Sequence, residues 1–253
     1  MPYQILMPVL ATLVVLGSFA ELPAQESEAG VQPVPKSAVE TGKEGTEKAK
    51  QEAAKKWTPL LAKEGLDGWE VTDFGNQGEV KRAGELLVLE MGDPLTGITS
   101  KLKDFPTTDF EIEFEAQRTE GNDFLCGLTF PVGDGFCTFV AGGWGGGIVG
   151  LSSVDGMDAS ENGTTTYHAF DNNKWYKFRA RVEPDYVRCW INDKQTFYQE
   201  REGCEFSTRI EVYACQPLGL CAFQSRVEIK NLRWRKLTKA DIEASEGDSS
   251  ESK

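Results

Sequence analysis

WYKFRARVEPDYVRCWIND, residues 175–193, is the stretch that decides the fold of this chain. Apolar and charged side chains alternate over residues 175–183, which is the pattern of a strand with one buried face. Pro184 ends this run, because proline lacks the backbone donor that a central strand needs and fits a turn. Alternation resumes over residues 186–191, and the Asn-Asp pair that follows supplies a second turn. Two strands joined by tight reversals predict an antiparallel sheet with one face in the core.

The same alternation recurs through most of the chain. In the last strand candidate it slips by one position at Lys230-Asn231, which predicts a β-bulge. Short strands in series without long helices predict an all-β fold, a jelly-roll sandwich of two antiparallel sheets. The strand candidates outside the opening stretch are 86–91, 97–102, 110–117, 124–130, 136–141, 147–151, 195–198, 210–214, 218–223 and 226–234.

The two ends of the chain differ in composition from the middle. Residues 1–24 predict a secretory signal peptide, because the apolar run at 9–19 is too short to span a bilayer and small residues follow it. The predicted location is therefore secreted or periplasmic, with no membrane-spanning segment in the mature chain. Residues 25–56 hold few large apolar side chains and predict a disordered linker, able to tether the domain at the cell envelope. The domain is predicted at 57–238, followed by a disordered acidic tail at 239–253.

The charge of the chain limits its partners. The sequence has 40 Asp+Glu against 27 Lys+Arg, a formal net charge of −13 at pH 7. A protein with this charge repels phosphate backbones, so nucleic acid is not a predicted partner.

The six cysteines predict at least one disulfide, because export places a chain in an oxidising compartment. Cys126 and Cys137 lie on the two arms of one hairpin around a loop at 131–135. Counting outward from that loop does not place them opposite each other, so a direct bridge needs an irregular register. The spacing of the cysteines excludes a zinc site of the CxxC type. The pairings that remain open are Cys204 with Cys215 and Cys189 with Cys221.

A set of short motifs follows in order along the chain. The motifs are Leu60-Leu61, Gly65-Leu66-Asp67-Gly68-Trp69, Phe110-Glu111-Ile112-Glu113-Phe114, residues 122–130, Trp175-Tyr176-Lys177-Phe178, Trp190-Ile191-Asn192-Asp193 and Val227-Glu228-Ile229-Lys230-Asn231-Leu232. In these motifs the chain resembles the 3-keto-disaccharide hydrolase-like domain of the concanavalin-like lectin/glucanase superfamily over residues 57–237. The resemblance implies a two-sheet jelly roll whose concave sheet faces a sugar, and glycosidic activity on oxidised disaccharides.

One strand departs from the pattern of that family. Cys137 and Gly142 stand where the family's Tyr-Glu-X-Gln-Ile-X-Asp strand carries acidic groups. Glycoside hydrolysis commonly needs two carboxyl groups, one of them a proton donor. A glycosidase-like hydrolase of 3-keto-disaccharides is the leading hypothesis for function. A non-catalytic carbohydrate- or protein-binding module and a structural component of the cell envelope remain alternatives.

Three residues are candidates for binding a carbohydrate or glycoside. Trp144 stands among glycines at 141–147, where it can present a flat apolar face to a sugar or plug the edge of the core. Arg118 follows a strand and can pair with neighbouring acids or with a ligand. His168 is the single histidine of the chain, suited either to acid–base work or to a structural role.

The candidate catalytic carboxylates are Asp134, Glu113 and Asp155. Asp134 and Asp155 lie in predicted loops, and Glu113 shares a strand face with Glu111 and Glu115, a pattern that fits paired carboxylates or a solvent-facing sheet. One of these carboxyl groups can assist cleavage of a glycosidic bond. No cofactor is predicted. The oxygen-rich loops at 155–162 and 171–173 contain ligands that Ca²⁺ prefers, but their spacing matches no Ca²⁺-binding loop and favours solvated turns.

Overall fold

The computed structural model describes residues 57–249 of the chain. The predicted signal peptide at 1–24 and the predicted linker at 25–56 lie outside the described residues. The strands are β1 (Thr58–Pro59), β2 (Trp69–Val71), β3 (Val80–Ala83), β4 (Leu86–Leu89), β5 (Leu95–Ser100), β6 (Phe110–Gly121), β7 (Cys126–Val132), β8 (Gly135–Gly142), β9 (Ile148–Ser152), β10 (Thr166–Tyr167), β11 (Tyr176–Val182), β12 (Tyr186–Ile191), β13 (Lys194–Glu200), β14 (Gly219–Phe223) and β15 (Ser225–Lys236). The helical elements are α1 (Gly143–Gly146), a 3-10 helix (Ile210–Cys215) and α2 (Lys239–Ser249).

The strands form two antiparallel sheets, as the sequence predicts. Sheet A has the order β13-β12-β11-β6-β15-β4-β3, with β1 paired to β15. Sheet B has the order β10-β9-β8-β7-β14-β5-β2. The opening stretch supplies β11 and β12 of sheet A, where Phe178 stands opposite Ile191. The all-β sandwich is therefore confirmed.

The core lies between the two sheets and is built from alternate residues of their strands. Phe110, Phe114 and Phe178 face inward from sheet A and are fully buried. They meet inward aromatic rings of sheet B: the centroids of Phe110 and Phe130 are 6.5 Å apart, and those of Phe139 and Phe178 are 6.2 Å apart. Burial of each large apolar side chain contributes about 1.5–3 kcal/mol, so this layer supplies much of the stability of the sandwich.

The hairpin of β7 and β8 is tighter than its predicted five-residue loop. Pro131 pairs with Phe136 and Val132 with Gly135, so only two residues, one of them Gly133, form the turn. Gly133 has a φ of 60°, which a two-residue hairpin turn requires and which glycine adopts without strain. The register places Cys126 opposite Ala141. The expectation that the two hairpin cysteines do not face each other is met.

Of two predictions for the later part of the chain, one is confirmed and one is wrong. The predicted bulge in β15 is confirmed, because its pairing with β6 shifts between Lys230 and Arg233. The strand predicted at 210–214 is wrong, and the 3-10 helix takes its place. There Ile210 and Tyr213, three positions apart, are exposed, while Val212 is buried. This spacing of three fits a 3-10 helix and not the alternation of a strand.

The six cysteines are free thiols in the structure. The open pairing of Cys189 with Cys221 does not form, because Cys189 faces the core between the sheets and Cys221 belongs to a separate small cluster. The pairing of Cys204 with Cys215 does not form either. Cys204 packs against the main core, whereas Cys215 lies in the small cluster.

The outer face of sheet A carries a ladder of ion pairs. Glu111 is fully buried there and accepts hydrogen bonds from Arg181 Nε at 2.6 Å and Arg235 Nε at 3.0 Å. On the same face, Glu113 accepts one from Arg233 Nε at 3.1 Å. These arginines come from strands on both sides of β6, so the carboxylates join β11 to β15 across the centre of the sheet.

The acidic tail begins as a helix, although the sequence predicts disorder from residue 239. Thr238 precedes α2 and donates a hydrogen bond from its Oγ1 to Asp241 Oδ2 at 2.6 Å. Arg235 binds the other oxygen of Asp241 at 3.0 Å. This cap and ion pair hold the first turn of α2 against β15. The last four residues, 250–253, lie outside the described range.

Replacing Glu111 with alanine should destabilise the domain by about 3 kcal/mol, because it removes a buried acceptor that Arg181 and Arg235 share. Urea unfolding followed by tryptophan fluorescence measures the change. The matched control is Glu115→Ala on the same strand and face. The side chain of Glu115 is 32% exposed and pairs with Lys230 at 3.4 Å, so its loss should cost no more than about 1 kcal/mol. Equal losses in the two variants would contradict a buried ladder.

The attachment of α2 should depend on pH through Asp241. Burial opposes ionisation of this carboxyl, but hydrogen bonds from Thr238 and the pairing with Arg235 outweigh it and lower its pKa to about 2. A depressed pKa stabilises the folded state above the unfolded value, and this stability is lost as the pH falls through the folded value. The protection of the amides in residues 241–244, measured relative to their intrinsic exchange rates, should therefore fall between about pH 4 and pH 2. The variant Asp241→Asn should lack this dependence, and an unchanged profile would refute the assignment.

Candidate functional site

The outer face of sheet B is built from small side chains. Along neighbouring strands it presents Gly97 on β5, Gly127 and Thr129 on β7, Thr138 on β8 and Gly150 on β9, all of them buried. Two segments of the chain cover these positions: loop 153–165 and segment 204–217, which contains the 3-10 helix. Small residues allow this covering, since larger side chains would hold the segments away from the strands.

Loop 153–165 lies directly on β9. A Cβ atom at Gly150 would be 3.0 Å from both Ala159 O and Thr164 Oγ1. Asn162 fixes the loop from within, because its Nδ2 donates to Leu151 O at 2.7 Å. Asn162 also begins an Asn-Gly-Thr glycosylation sequon, but it is 7% exposed and its amide is used in the fold. The sequon is a structural feature of the folded loop.

Arg209 connects the two covering segments. Its guanidinium pairs with Asp158 of loop 153–165 and, within its own segment, with Glu211, whose Oε1 lies 2.8 Å from Nη2. Asp158 is held in turn by Ser152 and Ser153, whose hydroxyl groups lie 3.1 and 3.2 Å from Oδ1. The segments are therefore joined above the sheet by one guanidinium between two carboxylates.

Beside this junction the covering leaves an open groove of about 260 Å³ at one end of sheet B. Three aromatic rings form one side of it. The centroid of Phe124 lies 6.0 Å from that of Trp144 and 5.6 Å from that of Phe223. Trp144 is 42% exposed, so part of its indole is free to contact a ligand. The lining residues are Leu95, Asp123, Phe124, Trp144, Arg209, Glu211, Val212 and Phe223.

The backbone around Trp144 is held in place by Asp123. Trp144 and Gly145 have φ values of 50° and 87°, and the glycine adopts this left-handed conformation readily. Asp123 Oδ2 accepts a hydrogen bond from Gly145 N at 3.1 Å, and its Oδ1 accepts one from Phe124 N at 2.9 Å. One carboxylate thus holds the backbone at Phe124 and beside Trp144, two of the three aromatic residues of the groove wall.

Arg118 supports this arrangement from beneath. It is 5% exposed and donates to Asp123 O at 2.6 Å, Phe170 O at 2.9 Å and Asn172 Oδ1 at 2.6 Å. Burial lowers the pKa of its guanidinium, partly offset by Asp123. Its hydrogen bonds all go to neighbouring segments of the fold, so Arg118 positions the groove wall and does not line the groove.

The groove is negatively charged. The hydrogen bond from Arg209 lowers the pKa of Glu211, which is therefore ionised at neutral pH. Arg209 neutralises one charge among Asp158, Glu211 and Asp123. The carboxylate of Asp123 accepts two backbone N–H groups and forms no salt bridge among the described residues, while the buried guanidinium of Arg118 interacts with it electrostatically from beneath the groove wall.

The three predicted catalytic carboxylates lie in different places. Glu113 is on the outer face of sheet A, where Arg233 and Lys177 pair with it, on the opposite side of the sandwich. Asp134 lies at the tip of the β7–β8 hairpin, beside a second, polar cavity of about 790 Å³. Asp155 accepts a hydrogen bond from Glu205 N at 2.7 Å, in a loop contact outside the groove lining.

Of the predicted binding residues, Trp144 lines the groove and Arg118 supports it. His168 lies apart from the lining, with its ring stacked on Phe170 at 4.4 Å. Sequence reasoning missed Asp123, Arg209 and Glu211. Asp123 directly precedes the strand predicted at 124–130, Arg209 directly precedes the strand predicted at 210–214 and Glu211 lies within it, so no local pattern distinguished them.

Two features are absent from the part of the chain that the structure describes. Among residues 57–249, no group of three or more His, Cys, Asp or Glu side chains is arranged to hold a metal ion. Within the same range, no helix combines the length and the apolar character that crossing a membrane requires.

Two solved structures illustrate what the domain is similar to. The carbohydrate-binding module CBM66 from Bacillus subtilis shares 17% identity at a TM-score of 0.44, over 67% of this chain and 96% of that chain. The Crh5 transglycosylase shares 13% identity at a TM-score of 0.49, over 72% of this chain and 84% of that chain. Likenesses at this level describe only the path of the backbone. No curated protein matches the chain.

A family model settles the membership that the motifs indicated. The model described as a 3-keto-alpha-glucoside-1,2-lyase-like domain matches residues 56–235, which is most of the chain and includes all fifteen strands except the last residue of β15. The chain therefore belongs to the carbohydrate-active family of 3-keto-alpha-glucoside-1,2-lyase-like domains.

Proposed function

We propose that the chain binds a carbohydrate in the aromatic groove at the end of sheet B. The observation that carries the proposal is the exposed indole of Trp144, set in a wall with Phe124 and Phe223. One face of a pyranose ring consists of C–H groups, which stack on an aromatic face, while polar groups at the rim bind the hydroxyls. Asp123 supplies such a polar group next to the indole.

The charge of the groove selects among saccharides. Its carboxylates outnumber its one arginine, and that arginine already pairs with Asp158 and Glu211. The carboxylate of Asp123 would repel a uronate, sulfate or phosphate group held against Trp144. The ligand class is therefore a neutral saccharide, whose hydroxyls donate hydrogen bonds to Asp123.

A hydrolase mechanism has less support than binding. Glycoside hydrolysis commonly needs a protonated carboxyl as proton donor beside a second carboxylate. In the groove, Arg209 lowers the pKa of Glu211 and keeps it ionised. On β8, the residues that alternate with the core-facing Cys137 and Phe139 include Thr138 and Val140, neither of which carries a carboxyl.

A second candidate function is elimination on a 3-keto-α-glucoside, which the family description names. The ketone acidifies the neighbouring C2–H, so a carboxylate base can remove that proton. A double bond then forms between C1 and C2 while the glycosidic C–O bond breaks and the leaving oxygen takes a proton from water. Of the two carboxylates that line the groove, Asp123 is the one whose oxygens form no salt bridge with an arginine, which favours it as this base.

The proposal includes export of the chain. The signal-like residues 1–24 would direct secretion or periplasmic location, and residues 25–56 would tether the domain at the cell envelope. A saccharide-binding domain held there meets glycans of the cell surface or the surroundings.

Replacing Trp144 with alanine should weaken saccharide binding by about 10-fold or more, because it removes the stacking surface. Titration calorimetry with neutral α-glucosides, among them methyl α-glucoside and trehalose, measures the affinity. Tyr213→Ala is the matched control, since this aromatic residue is 66% exposed but does not line the groove. Unchanged affinity in the Trp144 variant, or an equal loss in both, would remove the groove as the binding site.

Replacing Asp123 with asparagine separates binding from elimination. The wild type should prefer methyl glucoside to methyl glucuronoside, and the variant should narrow this preference because the repelling charge is gone. Incubation with a 3-keto-α-glucoside, followed by chromatography of the products, tests turnover. Turnover that is lost in Asp123→Asn but kept in Asp134→Asn supports elimination. Binding without turnover by the wild type supports a non-catalytic binding module. Equal affinity of the wild type for the two glycosides would refute the selection of saccharides by charge.

A further inference from the structure

Two cysteines meet where the 3-10 helix lies on sheet B. Cys215 is the last residue of that helix and Cys221 is the middle residue of β14. Both are fully buried in a small cluster with Leu95 and Val212, separate from the core between the sheets. This cluster is the contact through which segment 204–217 covers the outer face of sheet B.

Glycines make room for the two sulfur atoms. A Cβ atom at Gly219 would be 2.7 Å from Cys215 Cβ, which places Cys215 above the bare strand position two residues before Cys221. On either side of Cys221, a Cβ atom at Gly97 would be 3.0 Å from its Cβ, and one at Gly127 would be 3.0 Å from its Sγ. The space between helix and sheet is therefore fitted to two cysteine side chains.

The two thiols interact directly. The hydrogen bond between Cys215 and Cys221, together with burial, raises the pKa of Cys215 well above its usual value. Of the other four cysteines, Cys126, Cys137 and Cys189 belong to the main core, and Cys204 packs against that core. Cys215 and Cys221 are thus the two cysteines of the small cluster beneath the 3-10 helix.

We propose that Cys215 and Cys221 are a site of oxidative modification and form a disulfide in the exported protein. The ligand class is an oxidised dithiol or a small disulfide such as oxidised glutathione. A thiolate of the chain attacks it to give a mixed disulfide, and the second cysteine displaces the carrier. The two thiols lose two protons and two electrons as the S–S bond forms, and the carrier is reduced to two thiols.

The bond forms before the domain closes around it. In the folded protein both sulfur atoms are fully buried and the thiolate of Cys215 is disfavoured, so attack is slow. During folding both cysteines are open to the carrier and lie only six positions apart. The bond then pins the 3-10 helix to β14, and with it Val212, Glu211 and the adjoining Arg209 of the groove wall.

Peptide mapping of the full chain tests the proposal. The protein is refolded in a buffer of reduced and oxidised glutathione, unfolded without reductant, alkylated and digested with trypsin. Cleavage after Arg209 and Arg226 places both cysteines in peptide 210–226. We expect this peptide to be lighter by two hydrogen atoms and to carry no alkyl group until it is reduced. Alkylation of both residues, or a link from either to Cys126 or Cys204, would overturn the proposal.

Stability provides a second readout that does not depend on carbohydrate binding. Closing a loop of seven residues should lower the unfolding constant of the oxidised wild type about 50-fold relative to the reduced protein. Cys215→Ser should abolish this difference, whereas Cys204→Ser should keep it. Equal urea midpoints for the oxidised and reduced wild type would also contradict a bond at this site. Loss of saccharide binding in any variant bears on the proposed function and leaves this result unaffected.

Discussion

Close contact between sheet B and its covering segments depends on the small residues of its outer face. Gly150 on β9 and Gly219 on β14 carry no side chain on that face, so Ala159 and Thr164 of loop 153–165 and Cys215 of segment 204–217 lie against the strands themselves. The ion pair of Arg209 with Asp158 then joins the two coverings. The covering lies over the middle of the sheet, and the groove opens beside it at the end where Trp144 stands. The position of the groove thus depends on the small side chains of the strands beneath the covering.

The fold followed from the sequence because its pattern is local. Period-two alternation in β6, β11 and β12 predicted both the strands and their buried faces, and the slip at Lys230-Asn231 predicted the bulge. The segment at 210–214 failed for the same reason. Its apolar residues fit alternation as well as a spacing of three, and only the contact of Val212 with sheet B decides between them.

The site was less predictable, because its residues meet through pairings distant in the chain. Glu113 resembles a catalytic carboxylate in sequence, but β15 brings Arg233 to it from 120 residues away. Asp123 has no distinctive neighbours in sequence, yet it fixes Gly145 from 22 residues away. Trp144 was found because its glycine neighbours are unusual at the local level. The sequence therefore identified the exposed aromatic residue of the groove and missed the charges that surround it.

The closure of sheet B also limits what the groove can hold. A volume of about 260 Å³ lies just below the range of roughly 300–1,000 Å³ that is usual for small-molecule sites. A long polysaccharide would need to pass across the sheet, where the pair of Arg209 with Asp158 blocks its path. Under the proposed function, the groove would therefore take one or two sugar residues. A small glycoside and the terminal unit of a longer glycan fit this limit equally well.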